Sequence, residues 1–122
     1  MGLSYLFSIV SQYWLYLFVA WAAHAFYAHI TYTDLIPKDS NWFLTACIVM
    51  GVIGNIMWAL FVKAAKNNSD IFLMGQVWDF MPIFFFVILP PLIYDIGLTG
   101  WKLWAGILLI ILGIILISYA KH

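Results

Sequence analysis

The chain has 122 residues, 66% of them hydrophobic and 8% charged, and five Lys balance five Asp at zero formal net charge. A soluble domain is about 45–50% apolar and about 25% charged, so too few polar side chains remain here to cover a water-facing surface. With no Arg and no Glu in the sequence, a disordered polyelectrolyte and a basic nucleic-acid patch are excluded as well.

Met1-Gly2-Leu3-Ser4-Tyr5 carries no positive charge, and no short apolar run ends in an A-x-A site, so no cleaved signal peptide is expected. Leu6 stands where myristoylation wants Ser or Thr. A spanning helix needs roughly 20 apolar residues. Four such helices with short loops would use nearly the whole chain.

The first helix is expected over 13–31, weakly interrupted just upstream by Ser11 and Gln12, with an earlier start near Tyr5 left open. Asp34, Pro37, Lys38, Asp39 and Ser40 then make a turn-rich loop, and Ser40 or Asn41 can cap the second helix, 42–62. A second loop around Lys63, Lys66, Asn67 and Asn68 leads to a third helix, 71–94, capped by Ser69 or Asp70. Pro82, Pro90 and Pro91 fall inside it, where each removes a backbone donor and bends the helix. A short loop, 95–100, precedes the fourth helix, 101–120. Trp14, Trp42, Trp101 and Tyr119 fall near helix ends, where membrane proteins place interfacial aromatics.

The expected fold is therefore an all-α integral membrane protein, one four-helix transmembrane bundle over 1–122, with both termini on one side. That side carries Lys63, Lys66 and Lys121; the other carries Lys38 and Lys102. Three against two barely biases orientation, so insertion in both directions is open.

Ionisable groups inside spans are costly and mark function. Asp79 lies about eight residues into the third helix, roughly 12 Å along it, on a face with Gly75 and Pro82 and flanked by Gln76 and Trp78. It can exchange a proton for a cation; the plainer alternative is a helix–helix hydrogen bond. His24 lies mid-way along the first helix on a face with Trp21, Tyr27 and Ala28. Histidine changes charge near neutral pH, so His24 is either a partner of Asp79 or a neutral hydrogen-bonded packing residue. Asn55, near Gly51, Gly54 and Trp58, either lines a polar cavity or bonds a neighbouring helix. Trp58, Trp78, Tyr27 and Tyr94 supply ring faces that attract cations.

The spacing of His24 and His29 does not put two ligands on one helical face, and the single Cys47 excludes a multi-cysteine site, so no metal and no cofactor is expected. P-loop, dinucleotide-binding, nucleophile-elbow and zinc-protease motifs are absent, so no enzyme is expected.

Gly75-Gln76-Val77-Trp78-Asp79, followed by a short loop ending in Leu98, resembles the second half of a small multidrug resistance protein. So does the fourth-helix pattern Gly106-x-Leu108-x-Ile110-x-x-Gly113-x-x-x-Ile117. The segment Trp58 to Ala65 is similar to the wider drug/metabolite transporter superfamily. The resemblance implies a dimeric, proton-coupled exporter of small organic cations or amphipathic, lipid-linked molecules in the bacterial inner membrane. It also implies dimerisation through the Gly106–Gly113 face, and a role for Trp78 at the substrate. The chain departs from the family at one position: His24 stands where the helix-one glutamate is expected. Coupling would then fall to Asp79, with His24, Tyr27, Trp78, Asn55 and Gln76 around the substrate. The competing reading is a non-catalytic accessory subunit of a larger membrane complex. Expected partners are membrane lipids and a second copy of the chain, with no nucleic acid.

Overall fold

A computed structural model describes residues 2–94 and 100–120. Among these all regular structure is helical, with no strand. The helices are α1 (Gly2–Gln12), α2 (Trp14–Tyr32), α3 (Asn41–Ala64), α4 (Asn68–Ile83), α5 (Leu89–Ile93) and α6 (Trp101–Ser118), with a π-helical turn, Phe84–Ile88, joining α4 to α5. Residues 95–99, most of the expected third loop, lie outside the described residues, as do Lys121 and His122 at the end of the expected fourth helix.

Three helical stretches are long and apolar enough to cross a membrane: Asn41–Ala64, Asn68–Ile93 and Trp101–Ser118. The α1/α2 pair supplies a fourth if counted as one broken span. Their outward faces are apolar: α3 exposes Leu44, Ile48, Val52, Ile56 and Leu60, and α6 exposes Leu108, Leu109, Leu112 and Leu116. Only 11% of the most apolar window of each of these two helices is buried. Such surfaces suit hydrocarbon, and a chain of this pattern is a multi-pass membrane protein. The aromatics expected at helix ends are there. Trp14 and Trp101 open α2 and α6, Trp42 is the second residue of α3, Tyr119 follows α6, and all four are exposed.

The chain divides into two compact units, Trp14–Ala64 and the combination of Met1–Tyr13 with Ala65–His122. In the first, α2 packs along α3. Ser40 caps α3, its Oγ accepting from the Phe43 amide at 3.3 Å. In the second unit α1 packs on α4 and α6, and α4 on α6.

Three local features differ from the sequence expectations. The expected first helix, 13–31, is present as α2, Trp14–Tyr32, but a further helix precedes it. The helical stretch begins at Gly2 and breaks at Tyr13, whose neighbours Ser11 and Gln12 are the polar interruption. The α4 cap is Asn67 rather than Ser69 or Asp70. Asn67 has an extended backbone, and its side chain accepts from the Asp70 amide at 2.9 Å. This moves the helix start to Asn68, ahead of the expected residue 71. Lastly, the helix widens into a π-helical turn just ahead of Pro90 and Pro91, where the sequence expectation was only a bend. Pro90 and Pro91 offer no amide to the carbonyls one turn back. Just before them the ladder loosens to a five-residue step, Leu89 N–H donating to the Phe84 carbonyl. Tyr94 N–H then closes on the Pro90 carbonyl at 2.8 Å.

The buried side of α4 carries Asp70, Leu73, Met74 and Met81. Asp70 is 6% exposed, and the Tyr5 hydroxyl of α1 donates to its Oδ1. A buried carboxylate is costly without such partners, and its place in the first turn of α4 adds the favourable helix dipole. Gly2 sits at positive φ (49°) beside the Tyr119 ring, which any side chain at that position would overlap. Tyr5→Phe removes the donor and leaves the carboxylate buried, so it should cost about 1–2 kcal/mol and lower the Tm in detergent. Asp70→Asn keeps an acceptor oxygen and should cost less. Equal Tm values for wild type and Tyr5→Phe would remove this bond from the account of the fold.

Candidate functional site

Asp79 is the clearest intramembrane ionisable group. With α4 starting at Asn68, it lies about 16 Å along the Asn68–Ile93 span, roughly half the depth of a hydrocarbon core. Its side of α4 is opposite to the packed one: Phe72, Asp79 and Pro82 are exposed, while Leu73, Met74 and Met81 are buried. Gly75, on the same side of α4, is half-buried. Asp79 makes no hydrogen bond or ion pair with any of the described residues. Trp78 beside it is half-buried. Gln76 folds back on its own helix, Nε2 donating to the Phe72 carbonyl at 3.4 Å.

In the α2/α3 unit, His24 is half-buried, and its Nδ1 lies 2.9 Å from the Ala20 carbonyl. That bond makes Nδ1 the donor and holds the ring along α2. The ring reaches α3 at Gly54, where a Cβ would stand 3.5 Å from His24 Cε1. Gly54 is thus the small residue that lets an imidazole lie between the two helices. Tyr27 is half-buried one turn on, its carbonyl accepting from the Thr31 hydroxyl at 2.8 Å. Asn55, next to Gly54, is exposed mid-way along α3 and makes no hydrogen bond with the described residues.

The grooves that flank these residues are apolar. One of about 400 Å³ runs along Val19, Ala22, Ala23, Phe26, Met50 and Ile53. Another, of about 120 Å³, lies among Val77, Phe80, Ile111, Ile114 and Ile115. Among the described residues no three His, Cys, Asp or Glu side chains gather as a metal site would require.

The chain matches no protein-family model, no curated protein and no solved structure.

The glycines of α6 leave open space beside them among the described residues. A Cβ on Gly106 or Gly113 would meet nothing within 4 Å, and the same holds for Gly51 of α3. What sequence reasoning missed is the Tyr5–Asp70 pair. Its only signal was an aspartate at the expected start of the third helix, which reads equally well as a cap.

The Gly54 contact is testable. Alanine there meets His24 at ordinary van der Waals distance and should leave the fold and the imidazole unmoved. Leucine should push the ring off the Ala20 carbonyl and destabilise the α2/α3 pair by about 1–3 kcal/mol. Histidine side-chain NMR signals and Tm distinguish the two; a silent Gly54→Leu would break the proposed contact.

Proposed function

We propose that this chain is a small transporter resembling the small multidrug resistance group. It works as a homodimer that moves a small organic cation, or an amphipathic lipid-linked molecule, in exchange for protons. The observation that carries the reading is Asp79: a carboxylate at mid-span, exposed on its own chain and without a partner among the described residues. A charged group facing acyl chains at that depth costs at least about 2.5 kcal/mol. Covering it with a second copy removes that cost and creates a polar site near the bilayer midplane, where transporters place theirs. Asn55, also exposed at mid-span, and the open glycine face of α6 support the same assembly.

In this mechanism Asp79 holds either a proton or the substrate cation, never both. Exchange follows from that exclusion, and alternating access follows from rocking of the two copies. Beside Asp79 on the same helix, Trp78 gives a ring face to the cation and Gln76 gives an amide oxygen. The nearly balanced loop lysines leave an antiparallel pair open.

Two outcomes are expected. In proteoliposomes with an imposed pH gradient, wild type should accumulate a quaternary ammonium cation and Asp79→Asn should not. The variant keeps size and an acceptor oxygen but loses the titratable charge. Its cation binding should also be weaker than that of wild type, because the counter-charge is gone. A variant that matches wild type moves the coupling to His24. Failure of both forms to bind any organic cation or lipid-linked sugar favours the accessory-subunit reading. Separately, Gly113→Leu should shift the purified protein from dimer to monomer in light scattering, because a bulky side chain blocks close helix approach. An unchanged dimer would remove α6 from the interface.

A further inference from the structure

The first helix has a different character from the others. α1 is the most strongly amphipathic of them. Gly2, Leu6, Ile9 and Tyr13, at i, i+4, i+7 and i+11, are buried. Ser4, Ser8 and Ser11, at i, i+4 and i+7 on the opposite side, are exposed together with Gln12, and Phe7 at their edge is 64% exposed. With 11 residues α1 is about 16 Å long, half of what a hydrocarbon core requires.

Its ties fix where it sits in its own unit. Tyr5 bonds Asp70, in the first turn of α4, and Gly2 lies against Tyr119, just past the end of α6. The beginning of α4 and the end of α6 are on one membrane face, because the two spans run in opposite directions. Both ties of α1 are therefore at a boundary between hydrocarbon and headgroups, beside the exposed, interfacial Tyr119. A serine face at that level meets headgroups and water, whereas the same face turned into the hydrocarbon would carry four polar side chains against lipid tails. α1 also has no charged residue, so electrostatic attraction to anionic lipid has no part in holding it.

We infer that α1 is an in-plane interfacial helix, seated on α4 and α6 through its apolar stripe and presenting Ser4, Ser8, Ser11 and Gln12 to the phospholipid headgroup layer. Helices of this kind lie about 5–10 Å into the headgroup–acyl boundary. The inference does not depend on transport. It concerns how the chain is seated in the bilayer, and its test reads depth alone.

The test uses the full chain with Cys47→Ser and one added cysteine at a time: Ser4→Cys, Ser8→Cys or Ser11→Cys, with Leu112→Cys on α6 as the deep reference. Each is spin-labelled and placed in phosphatidylcholine vesicles, with and without phosphatidylglycerol. Retained helicity by circular dichroism is the folding control. An in-plane helix gives the same shallow depth at all three serine positions, unchanged by the anionic lipid and well above Leu112→Cys. A helix that dives gives a steady increase, roughly 10 Å between positions 4 and 11, and overturns the inference. Labels reached only by aqueous quencher would put α1 outside the bilayer, and labels reached by neither quencher would put protein over the serine face. Either result also overturns it.

Discussion

Inside hydrocarbon no water is available to satisfy a backbone amide or carbonyl, so a spanning segment must close its own hydrogen bonds. That constraint explains why this chain is helical almost without interruption, and it governs the places where the helix is disturbed. Pro90 and Pro91 would leave carbonyls one turn back without donors. The chain answers by widening the preceding turn, so that Leu89 reaches the Phe84 carbonyl and the helix continues to Ile93. Ser118, at the end of α6, turns its hydroxyl back to the Ile115 carbonyl at 2.6 Å. At the α4 start the loose amide of Asp70 is taken by Asn67. Each repair is local because the surroundings offer no alternative partner.

The same constraint inverts the meaning of exposure. Leucine and isoleucine on the outside of α3 and α6 are at home there, and polar side chains become the informative ones. The two aspartates of α4 show the contrast. Asp70, at the edge of the span, is buried and tied to Tyr5. Asp79, at its middle, is open and has no partner among the described residues. One carboxylate is tied into the fold of its unit, and the other is not. The glycines divide in a similar way. Gly54 makes room for His24 between α2 and α3, whereas Gly51, Gly106 and Gly113 leave space that none of the described residues fills.

Much of this was legible from the residues in order. Long uncharged runs gave the spanning helices, the Pro–Lys–Asp–Ser turn gave the α2/α3 connection with its Ser40 cap, and tryptophans marked the helix ends. These features depend on neighbours in sequence: a run of apolar side chains is a helix in lipid wherever it packs. The depth of Asp79 was also close, because rise per residue is fixed and only the start of α4 had to move.

What the sequence could not determine depends on residues far apart in the chain meeting in space. Ser11 and Gln12 showed a weak interruption. Only packing made it a break, by giving α1 its own partners in α4 and α6. Tyr5 and Asp70 are 65 positions apart, and no periodicity links a tyrosine in one helix to an aspartate at the start of another. The choice of Asn67 over Ser69 and Asp70 as cap was likewise tertiary: once Asp70 is turned inward to receive the Tyr5 hydroxyl, its side chain is not free to cap, and Asn67 takes the amide. Hydropathy along the chain determined which segments are helices. The pairing of a few polar groups across helices decided where they begin, break and face, because in this environment an unpaired polar group costs more than a displaced apolar one.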